Sequence, residues 1–396
     1  MQQTLTKNET PLRWLLIAGF VNSFALSFVW PLTTIYLHDD LHKSLIMIGN
    51  ILLVNSFAAV FGNLLGGRLF DKFSPYHLFI ASIIGMMLTQ LTLVFFHGWP
   101  AYPILLIAQG FFSGLISTMI NSYGTNVKQR DGRYVFNMLY FTSNFGMVFG
   151  TLVVGYLFKI NVALLFLLAF VVYVGLLFLA TKQFNIKIER TTTVRNKKDV
   201  KVPRVNAIII YTFLASLVVI WIMYAQWLGN LSVYMTSLGF SMSQYSVLWS
   251  INGVLIAAVQ LILNFTNATE RRGMMFVQIF GGFIFIAGSF LVLSHSIHYV
   301  GFIVAMAVIT IGEATAFPMI PALVNELSPY EKKGYFQGVA GSASGLGRAF
   351  GPLMGGIVIQ SAGYRPLFLL GVYVVAFVLV ATLIIWAIYY KRTVKY

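Results

Sequence analysis

Twelve apolar stretches, each long enough to cross a bilayer as a helix, follow one another along 396 residues and leave little chain for anything else. A crossing helix takes about 20 apolar residues, because hydrocarbon offers no water to an unpaired backbone group. The runs lie near 14–36, 45–69, 77–96, 102–124, 134–158 and 162–182, then 206–235, 243–266, 274–294, 299–324, 335–360 and 365–390. Only 9% of the residues are charged, against roughly a quarter in soluble domains. The pattern predicts an all-α membrane protein of twelve transmembrane helices in two pseudo-symmetric six-helix bundles, 1–182 and 206–396. The basic segment 183–205 between them is the one long polar stretch and reads as a cytoplasmic linker. The start, MQQTLTKNETPLRW, leads into a run too long for a signal-peptide core, so the first span is expected to be retained.

Lys and Arg collect on the cytoplasmic side of short loops. Lys7, Arg13, Lys72, Lys128, Arg130, Arg133, Arg271, Arg272, Lys332, Lys333, Lys391, Arg392 and Lys395 fall on one side with the linker. Lys43, Lys159 and Arg365 fall on the other. Both termini are therefore expected in the cytoplasm of a cell whose plasma membrane holds the chain. The net charge of +15 belongs to residues beside spans, so it sets orientation and interaction with membrane lipid and does not point to nucleic acid. The absence of cysteine excludes disulfides, thiolate metal sites and thiol catalysis. His38, His42, His77, His97, His295 and His298 sit in loops or near span ends, no HExxH occurs, and no Ser/His/Asp set shares a cavity. An enzyme is not expected, nor a metal or cofactor; His38 and His42 beside Asp39 and Asp40 read as a solvated loop.

The halves echo each other. GRYVFNMLYFTSNFGMVFGTLVVGYLF and KGYFQGVAGSASGLGRAFGPLMGGIVI align with one offset for Tyr134 on Tyr335, Gly146 on Gly347, Gly150 on Gly351 and Gly155 on Gly356. A slightly different offset pairs Tyr36 with Tyr234 and Asn55 with Asn252. Repeats of this kind are a transporter architecture, in which two bundles expose a midplane site to each side in turn.

GGRLFDKFSPYH, after the second span, carries Gly67, Arg68, Asp71 and Lys72, and RAFGPLMGGIV in the eleventh carries Gly351, Pro352, Gly355 and Gly356. On these residues the chain resembles the major facilitator superfamily over its whole length, specifically the drug:proton antiporter branch with twelve spans. The resemblance implies the major facilitator fold and a cytoplasmic gate latched through Asp71 with Gly67, Arg68 and Lys72. It also implies a close helix–helix contact at Gly351, Pro352, Gly355 and Gly356. Ser74, Pro75 and Tyr76 depart from the loop motif, Thr151 stands where the fifth span's proline is usual, and the fourth span lacks the Arg common in the family.

Of eleven acidic residues, only Glu313, in ITIGEATAFP, is placed near mid-bilayer. A charge there costs about 3 kcal/mol even on the lenient scale, so the side chain should face the interior, where it can take up and release protons. Through Gly312, Glu313, Pro318 and Gly334 the segment also resembles the family's proton-carrying tenth span. Arg348 lies about as deep, each being about thirteen residues into oppositely running helices. An ion pair that is either fixed or switching is open at this point. The expected substrate cavity comprises Gln226, Asn230, Tyr224, Trp227 and Tyr234 of the seventh span, Asn22 and Trp30 of the first, and Asn144 and Asn252 elsewhere. Intramembrane amides need partners and point inward, and aromatic faces hold lipophilic cations. The chain is thus expected to exchange protons for a small amphipathic compound, monovalent or neutral, working as a monomer. An exporter or flippase for a lipid or sugar-containing metabolite is the alternative.

Overall fold

The computed structural model describes residues 9–28, 33, 36–43, 45–157, 161–186, 201–265 and 273–393, which form helices joined by short turns with no strand among them. The helices are α1 (Leu12–Leu26), α2 (Leu45–Lys72), α3 (Pro75–Phe95), α4 (Ala101–Gly124), α5 (Gly132–Leu157) and α6 (Val162–Gln183), with a π-helical turn at Tyr36–Asp40. There follow α7 (Arg204–Leu228), α8 (Asn230–Ser237), α9 (Met242–Phe265), α10 (Met274–His295), α11 (Tyr299–Leu327), α12 (Lys333–Ala362) and α13 (Tyr364–Tyr389). Among the described residues nine helical segments are long and apolar enough to cross a membrane, with α7 and α8 counted as one. The other three expected runs coincide with α1, which ends at Leu26, and with α5 and α12, whose glycine, serine and amide residues lower their apolarity.

Two compact units emerge. The first comprises Met1–Lys201 with Pro329–Ser342, and the second Val202–Ser328 with Ala343–Tyr396. The first ten residues of α12 thus pack with the amino-terminal helices and the remainder with the carboxy-terminal ones. Residues 187–200 of the expected linker lie outside the described residues.

The internal repeat is visible as repeated packing inside each unit. A Cβ on Gly146 would strike the backbone of Phe20 and Phe24 in α1; one on Gly347 would strike the side chain of Trp221 and the backbone of Val218 and Ile222 in α7. Glycine at both places lets backbones approach where a methyl group would hold them apart. Tyr36 Oη, in the π-helical turn, donates to the carbonyl of His97 at 3.0 Å, and its repeat counterpart Tyr234 Oη, in α8, to that of Ser296 at 3.3 Å.

One expected span differs in detail. The seventh run is broken at Gly229, which separates α7 from α8. The carbonyl of Trp227, released at the break, accepts from Tyr245 Oη of α9 at 2.7 Å, so the interruption leaves no orphan there.

Candidate functional site

Glu313 sits halfway along α11 and is 4% exposed. Two prolines follow it, and Pro318 supplies no N–H to the carbonyl of Ala314 one turn earlier. Gln260 of α9 replaces that donor: its Nε2 reaches the Ala314 carbonyl at 2.8 Å. Immediately before the glutamate, Gly312 meets Gly282 backbone to backbone, which draws α10 against α11. The glutamate is thereby held on a helix whose position is fixed from two sides.

Its carboxylate is met by neutral donors. Tyr224 Oη of α7 donates to Oε2 at 2.7 Å, and Asn252 Nδ2 of α9 donates to the same oxygen at 2.9 Å. Asn252 Nδ2 also lies 2.9 Å from Thr310 Oγ1, whose own hydrogen goes to the Met306 carbonyl. Tyr224, Asn252 and Thr310 are all buried. The cluster draws on three helices and can serve both protonation states, because a tyrosine hydroxyl that donates to a carboxylate can turn to accept from a carboxylic acid.

Arg348 has a different neighbour. Its guanidinium lies over the ring of Trp221, 5.1 Å from the centroid. That indole face is the contact described for Arg348. The cause is visible in α12: Gly347, Gly351 and Gly355 recur on one face against α7, and this register sets Arg348 beside Trp221. Trp221 is stacked on Phe317 with centroids 4.7 Å apart, and Tyr224 packs edge-on to both.

The other expected cavity residues divide. Gln226 donates to the carbonyls of Ile222 and Gly351, both at 2.8 Å, and accepts from Asn230 at 2.6 Å. A Cβ on Gly355 would meet both amides, so these two side chains serve the α7–α12 contact. Gly356 faces open space, and Pro352 lies within α12. Trp227 is fully buried, and Tyr234 packs on Phe302, Tyr364 and Phe368. In the first unit Asn22 accepts from Tyr173 Oη at 3.3 Å and Asn144 bonds the Tyr140 carbonyl of its own helix. Trp30 lies outside the described residues. Sequence reasoning passed over Thr310, Gln260, Trp221 and Phe317; a threonine one turn before a lone glutamate and aromatics on facing helices are the signals that would have found them.

In the first unit, the gate residues meet the start of α12. Asp71, near the end of α2, accepts from the backbone N–H of Gly334 at 3.1 Å and of Tyr335 at 2.7 Å. Those two groups are among the unpaired N–H donors that every helix start presents, and a carboxylate there also complements the helix dipole. Gly67 admits the carbonyl of Gly334 so closely that no Cβ would fit, and Arg68 lies 5.8 Å from the ring centre of Tyr335. Lys72 ends α2. Tyr330 Oη adds a bond to Asn126 Oδ1 at 3.2 Å.

A family model described as Major Facilitator Superfamily matches residues 15–348 and 271–396. The MFS-type transporter YttB of Bacillus subtilis (strain 168) is 35% identical over 383 residues, covering 95% of this chain and 94% of its own length. Among solved structures, the human organic anion transporter MFSD10 (TETRAN) is similar with a TM-score of 0.79 at 12% identity, covering 94% of this chain and 98% of that one. The transporter FucP is similar with a TM-score of 0.75 at 13% identity, covering 96% and 99%. These likenesses, over nearly the full length of both partners, agree with glycine-packed helices and a buried intramembrane carboxylate: the chain belongs to the major facilitator superfamily of membrane transporters and is not an enzyme.

Proposed function

We propose that the protein is a proton-coupled secondary transporter that exports an amphipathic organic compound across the cell membrane, in exchange for protons, by alternating access. It crosses the membrane twelve times with both termini in the cytoplasm and works as a monomer. The observation that carries this reading is the setting of Glu313. A carboxylate that accepts from the Tyr224 hydroxyl and the Asn252 amide, the latter also bonded to Thr310, can gain and lose a proton with hydroxyl and amide reorientation. Protonation removes a charge from hydrocarbon depth, so the two states differ in the cost of exposing or burying the site. The hydrogen bonds that Asp71 accepts from the start of α12 supply the other requirement, a contact that can hold one conformer and break in the next.

The test uses purified protein in vesicles with an imposed pH gradient and a panel of amphipathic dyes. Glu313→Gln, which keeps the volume and one acceptor, is expected to abolish gradient-driven flux while retaining exchange of dye against dye. Full gradient-driven flux in that variant would remove Glu313 from the mechanism.

A further inference from the structure

The two ionisable side chains placed deepest in the second unit's helices are presented differently. Glu313 is buried, whereas Arg348 is exposed and its described contact is the face of an indole. A guanidinium carries five N–H donors in a planar fork suited to carboxylate, sulfonate or phosphate. Exposure of that charge to hydrocarbon at the middle of a spanning helix is costly, so a water-accessible setting is expected for it. The guanidinium lies against the face of Trp221, and the Trp221–Phe317 stack supplies an apolar wall next to it.

We propose that Arg348 on Trp221 is the specificity-determining site for substrate, and that the substrate is an amphipathic anion whose acidic group bonds the guanidinium while its apolar part lies along Trp221 and Phe317. This replaces the cationic or neutral substrate expected from counting a cavity carboxylate, since the Glu313 side chain is buried and that of Arg348 is exposed. It rests on the transport reading above and makes that reading more specific. With the anion seated and Glu313 ionised, Arg348, Glu313 and ligand sum to one negative charge. With the site empty and Glu313 protonated, one positive charge remains. Moving the first outward and the second inward are both favoured by an inside-negative membrane potential, so an anion is compatible with export by exchange.

The experiment compares two naphthalene probes that differ in charge, 2-naphthalenesulfonate and 2-naphthylmethylammonium, for binding to the reconstituted full chain and for flux. The sulfonate is expected to bind in preference to the ammonium. Arg348→Gln should weaken its binding about 10- to 100-fold, the worth of hydrogen bonds to a charged group. Arg348→Lys should fall between, since it keeps the charge and loses the planar fork. Thermal unfolding of each variant with and without probe separates lost binding from lost folding. Preference for the ammonium, equal binding, no measurable binding of the sulfonate, or unchanged affinity in a folded Arg348→Gln would each overturn the assignment. A protein that binds sulfonate through Arg348 but drives no proton-linked flux would refute the transport reading and leave the anion site. One that pumps the ammonium and ignores the sulfonate would do the reverse.

Discussion

Replacing Asp71 by Asn tests how firmly the start of α12 is held. The carboxylate accepts two backbone N–H groups, the one from Tyr335 at 2.7 Å being in the short range of charge-assisted bonds. An amide keeps a single acceptor oxygen, and its other end would point N–H at N–H. The substitution therefore removes one bond to a charged acceptor and weakens the other, and it also loses the attraction between a carboxylate and the helix start. Hydrogen bonds to charged groups contribute about 1.5–3 kcal/mol and the dipole about 0.3–1 kcal/mol. Allowing for the retained acceptor, a net loss of about 2 kcal/mol corresponds to about a 30-fold rise in the fraction of molecules in which Pro329–Ser342 is released from α2. The native chain has no cysteine, so a single reporter can be added to an otherwise unreactive background. Ser342 is suited to this: it is 4% exposed and its Oγ donates to the Val60 carbonyl in α2. Labelling of Ser342→Cys by a membrane-impermeant maleimide, added on the side of the membrane at which α12 begins, should accelerate about 30-fold in the Asp71→Asn background. An unchanged labelling rate would show that the two hydrogen bonds do not hold this segment and would refute the latch.

Three further outcomes follow from the packing in the second unit. Gln260→Leu leaves the Ala314 carbonyl, already deprived of a donor by Pro318, without its side-chain substitute, and should cost about 1–3 kcal/mol in thermal unfolding. Most of that loss should vanish when Pro318→Ala is added to restore the backbone N–H; two additive effects would disprove the compensation. Gly351→Val should separate α7 from α12, because even a Cβ there meets the side chain of Ala225 and the Ile222 carbonyl, with a cost of about 1–3 kcal/mol. Gly356→Ala, whose Cβ meets open space, should unfold at the native temperature.

The sequence made some of this legible and concealed the rest for identifiable reasons. Glu313 stood out because a lone carboxylate in an apolar run has few reasons to exist, and Asn252 because it repeats Asn55. The repeat fixed which helices carry the close glycine contacts, and each unit shows them. What spacing could not supply was rotation. Glu313 and Arg348 share a depth in oppositely running helices, which left an ion pair open, but depth says nothing of which way each helix is turned. The face bearing Gly347, Gly351 and Gly355 turns Arg348 to Trp221, while Pro318 and Gln260 set α11 so that Glu313 meets Tyr224. Likewise the amides of Gln226 and Asn230 had to bond somewhere within hydrocarbon. That their partners were each other and a backbone carbonyl of α12 depended on how closely glycine lets that helix approach.

The account turns on whether Glu313 changes protonation state in the working protein. Infrared difference spectroscopy on the reconstituted chain reads this directly, with the carboxyl band of Glu313 identified by its absence in Glu313→Gln. That band should gain and lose intensity as the pH gradient that drives transport is imposed and removed, and substrate binding should alter its intensity at fixed pH. A Glu313 carboxyl that holds one state with and without the gradient, and with and without substrate, would contradict the account.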